Sequence, residues 1–123
     1  MEIAIPINEK GSLDNKVALH FGRASNFLIY NTETESFEIF PNPEVAGGKE
    51  FPPDFLYRQG VKAIIVFDLG EMAYKKFKNY NIKMYKAIQG TAAANLQKFE
   101  DGKLQELKEE DIDIFNFYES KLD

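Results

Sequence analysis

The opening stretch "EIAIPI" places Ile3, Ile5 and Ile7 on one side and Glu2, Ala4 and Pro6 on the other. A period of two predicts a strand with one buried face. Pro6 has no N–H to give to a ladder, so the strand is expected to end or bulge there. A polar loop, "NEKGSLDNK", follows. The runs "NFLIYN" and "SFEIF", joined by "TETE", are aromatic and β-branched, and predict an antiparallel hairpin. The Pro- and Gly-rich "PNPEVAGGKEF" reads as a loop.

The second half of the chain changes period. "FPPDFLYRQG" opens with prolines, which the first turn of a helix tolerates, and closes on Gly60, a natural residue to follow a helix. "VKAIIVF" is almost uniformly apolar, as in a parallel strand covered on both faces. In "EMAYKKFKNY", Ala73, Phe77 and Tyr80 recur at helical spacing. "IKMYKA" is a short strand. "TAAANLQKFEDG" has Thr91 as N-cap, an apolar stripe of Ala92, Leu96 and Phe99, and Gly102 beyond its end. In the tail, residues 108–123, Ile112 and Ile114 alternate as in a strand, whereas Ile112, Phe115 and Glu119 fit a helix. The order strand, hairpin, helix, strand, helix, strand, helix predicts a single α/β domain over residues 1–123. Its architecture is three layers, α/β/α, around a mixed five-stranded sheet. Ligands of such sheets bind beyond the carboxyl ends of the parallel strands.

Composition narrows the chemistry. The net charge of −5 argues against a phosphate-backbone partner, and "FKNYNIKMY" reads as a helix face followed by a strand, so no nucleic acid is expected. Cysteine is absent, which removes disulfides, thiolate ligands and a thiol nucleophile together. No apolar run is long enough to span a bilayer, and "MEIAIPINEK" does not read as a signal peptide. The expectation is a cytoplasmic protein without a membrane partner, monomeric or weakly dimeric.

The segment "VALHFGRASNFLIYN" resembles the signature of the dinitrogenase iron-molybdenum cofactor biosynthesis family, a His–Phe–Gly–Arg turn followed by an apolar strand. "PPDFLYRQGVKAIIVFDLG" and "NIKMYKAIQGTAAANLQKFEDGKL" resemble the family's later segments in the same order, so the likeness runs from Met1 to about Leu107. The resemblance implies a ribonuclease H-like fold. It also implies a non-catalytic role in binding or carrying iron–sulfur or iron–molybdenum cluster precursors, with a metallocluster donor or acceptor protein as partner. Two features depart from the family. The loop "EVAGGKEF" carries neither His nor Cys, and the turn after the buried strand reads Asp68-Leu69-Gly70-Glu71. Asp68 and Glu71 are expected to compete with an anionic ligand for the N–H groups at the following helix start.

His20, the only histidine, is the candidate metal ligand, through a neutral imidazole. The alternative is a structural histidine whose ring nitrogens bond backbone groups. Arg23 could hydrogen-bond cluster sulfides or a carboxylate, or else form a surface ion pair. Gly22 is expected to permit a positive φ or a close backbone approach, and Phe21 to be core. Gly47 and Gly48 could line a flexible rim over a ligand, or belong to a plain connecting loop. Gly70, Gly90 and Thr91, at helix starts, could offer N–H groups to an anion, or serve as ordinary turn and cap. No catalytic residue is assigned. A ribonuclease-type site needs clustered carboxylates within strands, and the first strand offers only Glu2 at its start. "GTA" is not a nucleophile elbow. The competing function is a protein-interaction or structural module of the same fold that has lost its metallocluster.

Overall fold

The computed structural model describes residues 1–9 and 11–112. Its strands are β1 (Glu2–Ile7), β2 (Asn26–Asn31), β3 (Ser36–Pro41), β4 (Val61–Val66) and β5 (Lys83–Lys86). They form one five-stranded sheet in the order β3-β2-β1-β4-β5. β1 pairs antiparallel with β2 and parallel with β4, β2 pairs antiparallel with β3, and β4 pairs parallel with β5. The sheet is therefore mixed, as the segment order predicts. The helices are α1 (Pro52–Arg58), α2 (Glu71–Asn79) and α3 (Ala92–Glu100), with a single 3-10 turn at Phe21–Arg23 before β2.

Side-chain alternation along β4 divides the core. Ile64 and Val66 join Phe55 and Leu56 of α1 and Phe77 of α2 in one cluster. Ala63 and Ile65 join Ala92 and Leu96 of α3 in the other. Helices thus cover both faces of the sheet, and this is why "AIIVF" is apolar without interruption.

β1 differs from the expectation of one buried face: every residue from Ile3 to Ile7 is buried. Ile3, Ile5 and Ile7 pack on the α3 side, while Ala4 packs on the α1/α2 side. The small Ala4 and Pro6 imitate a polar face in the pattern, but the strand lies at the centre of the sheet. Pro6 also does not end the strand. It remains in register with Phe27 of β2, and its carbonyl accepts a hydrogen bond from the Ala18 N–H at 2.8 Å. The register shift in β1 occurs against β4, between Glu2 and Ile3. Paired residues of β1 and β4 reach only to Ala4 and Ile64, so the missing proline N–H falls where that ladder is over.

The helix ends follow the sequence signals. Pro52 and Pro53 occupy the first positions of α1, and Gly60 follows its C-cap with a φ of +84°. Asn81 takes the same left-handed position after α2, with a φ of 58°. Beyond α3, residues 105–107 run beside β5: the Gln105 carbonyl accepts from Lys86 N–H, and Leu107 N–H donates to the Met84 carbonyl. Residues 109–112 are helical and Ile112 is buried, in favour of the helical reading there. Ile114, Phe115 and Glu119 lie outside the described residues.

A polar seam joins α1 to α2. Asp54 accepts hydrogen bonds from the Tyr80 hydroxyl and from Lys76 Nζ, and Tyr80 stacks on Tyr57 with ring centroids 4.0 Å apart. The Tyr80 hydrogen bond and the Lys76 ammonium hold the Asp54 carboxyl below its ordinary value, against the opposing effect of partial burial. A carboxyl depressed in the folded state stabilises above its unfolded value, about 4, and loses that contribution as pH falls through the depressed value. The stability gap between wild type and Asp54→Asn, read from urea unfolding, is expected to be constant above about pH 5 and to shrink below about pH 4. A gap that is unchanged at the lowest pH of the folded range contradicts the assignment.

Ile65 has no exposed surface and packs in the cluster under α3. Ile65→Ala is expected to cost about 2–5 kcal/mol in chemical unfolding. A loss below about 1 kcal/mol would be incompatible with its place in the core.

Candidate functional site

Strand direction gathers the candidates at one end of the sheet. His20, Gly22 and Arg23 lead into β2, whose first residue, Asn26, pairs with Ile7 at the end of β1. Gly48 follows β3, Gly70 follows β4 and Thr91 follows β5. All six therefore lie beyond the carboxyl ends of the parallel strands, where ligands of such sheets bind.

The 3-10 turn is held from below by Phe21, which is buried with its ring 5.2 Å from Phe27 and 5.5 Å from Phe77. It is held from above by Asp68, just past the end of β4. One Asp68 oxygen lies 2.7 Å from His20 Nδ1, and the other accepts the Phe21 N–H at 3.3 Å. An ionised carboxylate only accepts, so a hydrogen bond to it requires the proton on Nδ1, which in a neutral ring leaves the lone pair on Nε2. The His20 side chain is 59% exposed and that of Asp68 22%. The His20 ring thus bonds a carboxylate and not the backbone groups expected of a structural histidine, and its side chain is more than half exposed.

Asp68 also departs from its expected role. Its carboxylate is turned to the His20 turn, and the N-cap of α2 is Gly70. It is a partner of His20 and not a competitor at the helix start.

Gly22 shows neither property expected of it. Its φ is not in the left-handed region, and a Cβ built there would meet nothing within 4 Å. The 3-10 turn uses ordinary right-handed backbone, so the glycine leaves an open surface beside His20. Arg23 is exposed, and no ion pair joins it to another of the described residues. Gly48 does need to be glycine: its N–H donates to the Pro43 carbonyl at 2.7 Å, and a Cβ would come 2.7 Å from that same oxygen. Thr91 behaves as cap chemistry dictates, its hydroxyl accepting from Ala94 N–H at 3.1 Å. The next donors of α3 are also occupied, Ala92 N–H by the Asn15 carbonyl and Ala93 N–H by the Leu13 carbonyl. The start of α3 therefore holds the loop that leads to His20, and these N–H groups are not open to an anion.

Among the described residues no group of three or more His, Cys, Asp and Glu side chains could enclose a metal ion. At this end of the sheet stand an imidazole bonded to a carboxylate and an exposed guanidinium.

The sequence profile described as dinitrogenase iron-molybdenum cofactor matches residues 1–102. The chain belongs to this family. An uncharacterized protein of Methanocaldococcus jannaschii is 32% identical over 114 residues, covering 88% of this chain and 92% of the relative. Among solved structures, a putative NifB protein from Thermotoga is similar with a TM-score of 0.73 at 30% identity, over 86% of this chain and 92% of that one. The apo form of the orange protein from Desulfovibrio gigas shares the fold, with a TM-score of 0.77 at 22% identity, again over 86% and 92% of the two chains. A putative dinitrogenase from Methanocaldococcus jannaschii gives a TM-score of 0.69 at 25% identity, over 88% and 95%.

Within this family fold, Asn42 is a residue that sequence reasoning missed. It is fully buried; its Nδ2 donates to the Ala24 carbonyl at 2.9 Å and the Gly22 carbonyl at 3.4 Å, and its Oδ1 accepts from Glu44 N–H at 3.1 Å. It ties the loop after β3 to the His20 turn. The signal was a lone amide between two prolines, "PNP", inside a segment read only as a loop. Asn42→Ala leaves buried backbone groups without partners and is expected to cost about 1–3 kcal/mol in chemical unfolding. A cost within a few tenths of a kcal/mol would show that the amide does not hold the turn.

Proposed function

We propose that the chain is a non-catalytic carrier that binds an iron–sulfur or iron–molybdenum cluster precursor, with His20 Nε2 as its ligand. The observation that carries this reading is the His20–Asp68 pair. A metal-ligating histidine characteristically donates its second ring N–H to a carboxylate or carbonyl, which presents the other nitrogen outward. Here Nδ1 is bonded to Asp68 at 2.7 Å and most of the ring is exposed. Membership in a family described by the iron-molybdenum cofactor supplies the class of cargo.

The donor set suits a cargo better than a resident cofactor. Permanent clusters are held by several thiolates, and this chain has none. A single imidazole can be displaced by a competing ligand, which transfer to or from a metallocluster donor or acceptor protein requires. Arg23, three residues after His20 in the same turn, adds an exposed guanidinium suited to sulfides or to a carboxylate on the cargo. Gly22 leaves open space in the same turn, and Gly48 shapes the neighbouring loop. The N–H groups following Gly70 face the same end of the sheet. A cytoplasmic location and a monomeric or weakly dimeric state belong to the same proposal.

A second reading has its own support. Leu19, next to His20, is 66% exposed, and Met72, in the first turn of α2, is 70% exposed. Such apolar side chains suit a protein contact, so an interaction module without a cluster is the competitor. Anaerobic titration with an iron–sulfur or iron–molybdenum precursor, followed by visible absorbance, separates the two. Wild type is expected to bind and His20→Ala to lose binding by tenfold or more. Equal binding by His20→Ala removes His20 as ligand. No binding by either protein, both folded, favours the interaction module.

A further inference from the structure

We infer that Asp68 is a positioning residue that determines which nitrogen of His20 is open to a metal. This rests on the reading of His20 as the ligand of the cargo. The two residues are 48 positions apart in sequence and meet only through the fold. Both carboxylate oxygens are engaged, one with His20 Nδ1 at 2.7 Å and one with the Phe21 N–H at 3.3 Å. Rotating the imidazole by half a turn would set a C–H against Asp68 and lose the first bond. Moving the proton to Nε2 would set two lone pairs against each other. The ring is thereby restricted to one orientation and one tautomer.

The core holds the two partners at this separation. Phe21, which follows His20, is 4% exposed and packs edge-on against Phe77 of α2. Leu69, which follows Asp68, is 2% exposed in the same cluster, and α2 begins two residues later. Each half of the pair is anchored by its neighbour, so the bond does not depend on flexible side chains finding one another. A histidine without such a partner carries its proton mainly on Nε2, the nitrogen this site needs free. Asp68 reverses that preference before any metal arrives. The carboxylate charge, meanwhile, is taken up on the side of the ring away from Nε2.

The chain's single histidine makes the test direct. Nitrogen-15 NMR of the metal-free protein, at a pH high enough to keep the ring neutral, reports the tautomer without ambiguity. Wild type is expected to show Nδ1–H. In Asp68→Asn the amide carbonyl can still accept from Phe21 while its NH2 group donates to Nδ1, so the proton is expected on Nε2. Asp68→Ala, which removes the partner without replacing it, is expected to show mainly Nε2–H. Titration with Ni²⁺ alone, read from the His20 ring signals, is expected to show about 10–100-fold weaker binding in both variants. Persistence of Nδ1–H in both variants overturns the inference, as does Ni²⁺ binding equal to wild type. If wild type shows Nδ1–H and takes Ni²⁺ but no cluster precursor, the role of Asp68 stands and the cluster cargo falls.

Discussion

The structure depends on the two-sided burial of β1 and β4. Their side chains alternate between a cluster under α1 and α2 and a cluster under α3, so neither strand has a solvent face. Apolar burial contributes about 25 cal/mol per Å² removed from water, and it is largest where both faces are covered. This fixes the sheet order, and the sheet order decides which loops meet. β4 ends beside β1, and β2 begins on the other side of β1, so the turn before β2 and the turn after β4 are brought to the same end.

At that end, loops are tied to one another by a few polar groups. Asp68 joins the turn after β4 to the turn before β2, and Asn42 joins the loop after β3 to that same turn. Asn15 and Leu13 carbonyls tie the loop after β1 to the start of α3. Asn95, buried in α3, bonds both the N–H and the carbonyl of Ile88 and so holds the turn after β5. The apolar core positions the strand ends to within the reach of these groups, and the groups then fix the turns. The outcome is one half-exposed imidazole in a turn tied by Asp68 and Asn42.

The family assignment and the site geometry carry different weights. Matching residues 1–102 establishes kinship and fold, together with the family's association with the iron-molybdenum cofactor. The geometry concerns this chain alone. Its turn after β4 carries an acid, which in isolation reads as hostile to an anionic ligand. In place, the acid is committed to two hydrogen bonds, one of them to the imidazole.

By itself, the sequence determined the elements and their order. Period two in "EIAIPI", an unbroken apolar run in "VKAIIVF", prolines opening α1 and Thr91 capping α3 are local signals, set by backbone sterics and by burial of nearby side chains. The family was legible for the same reason, since "HFGRA" and the segments after it are contiguous in the chain. Burial of both faces of β1 was not legible, because Ala4 and Pro6 are too small to mark a buried face and only the central place of the strand covers them. Nor was the partnership of His20 with Asp68. A carboxylate beside an imidazole is a through-space fact, created when the sheet places the end of β4 beside the start of β2. Gly22 and Thr91 show the same division. Their residue types announced turn and cap, but whether a glycine needs a positive φ, or a helix start stays open to a ligand, depended on which loop folded against it.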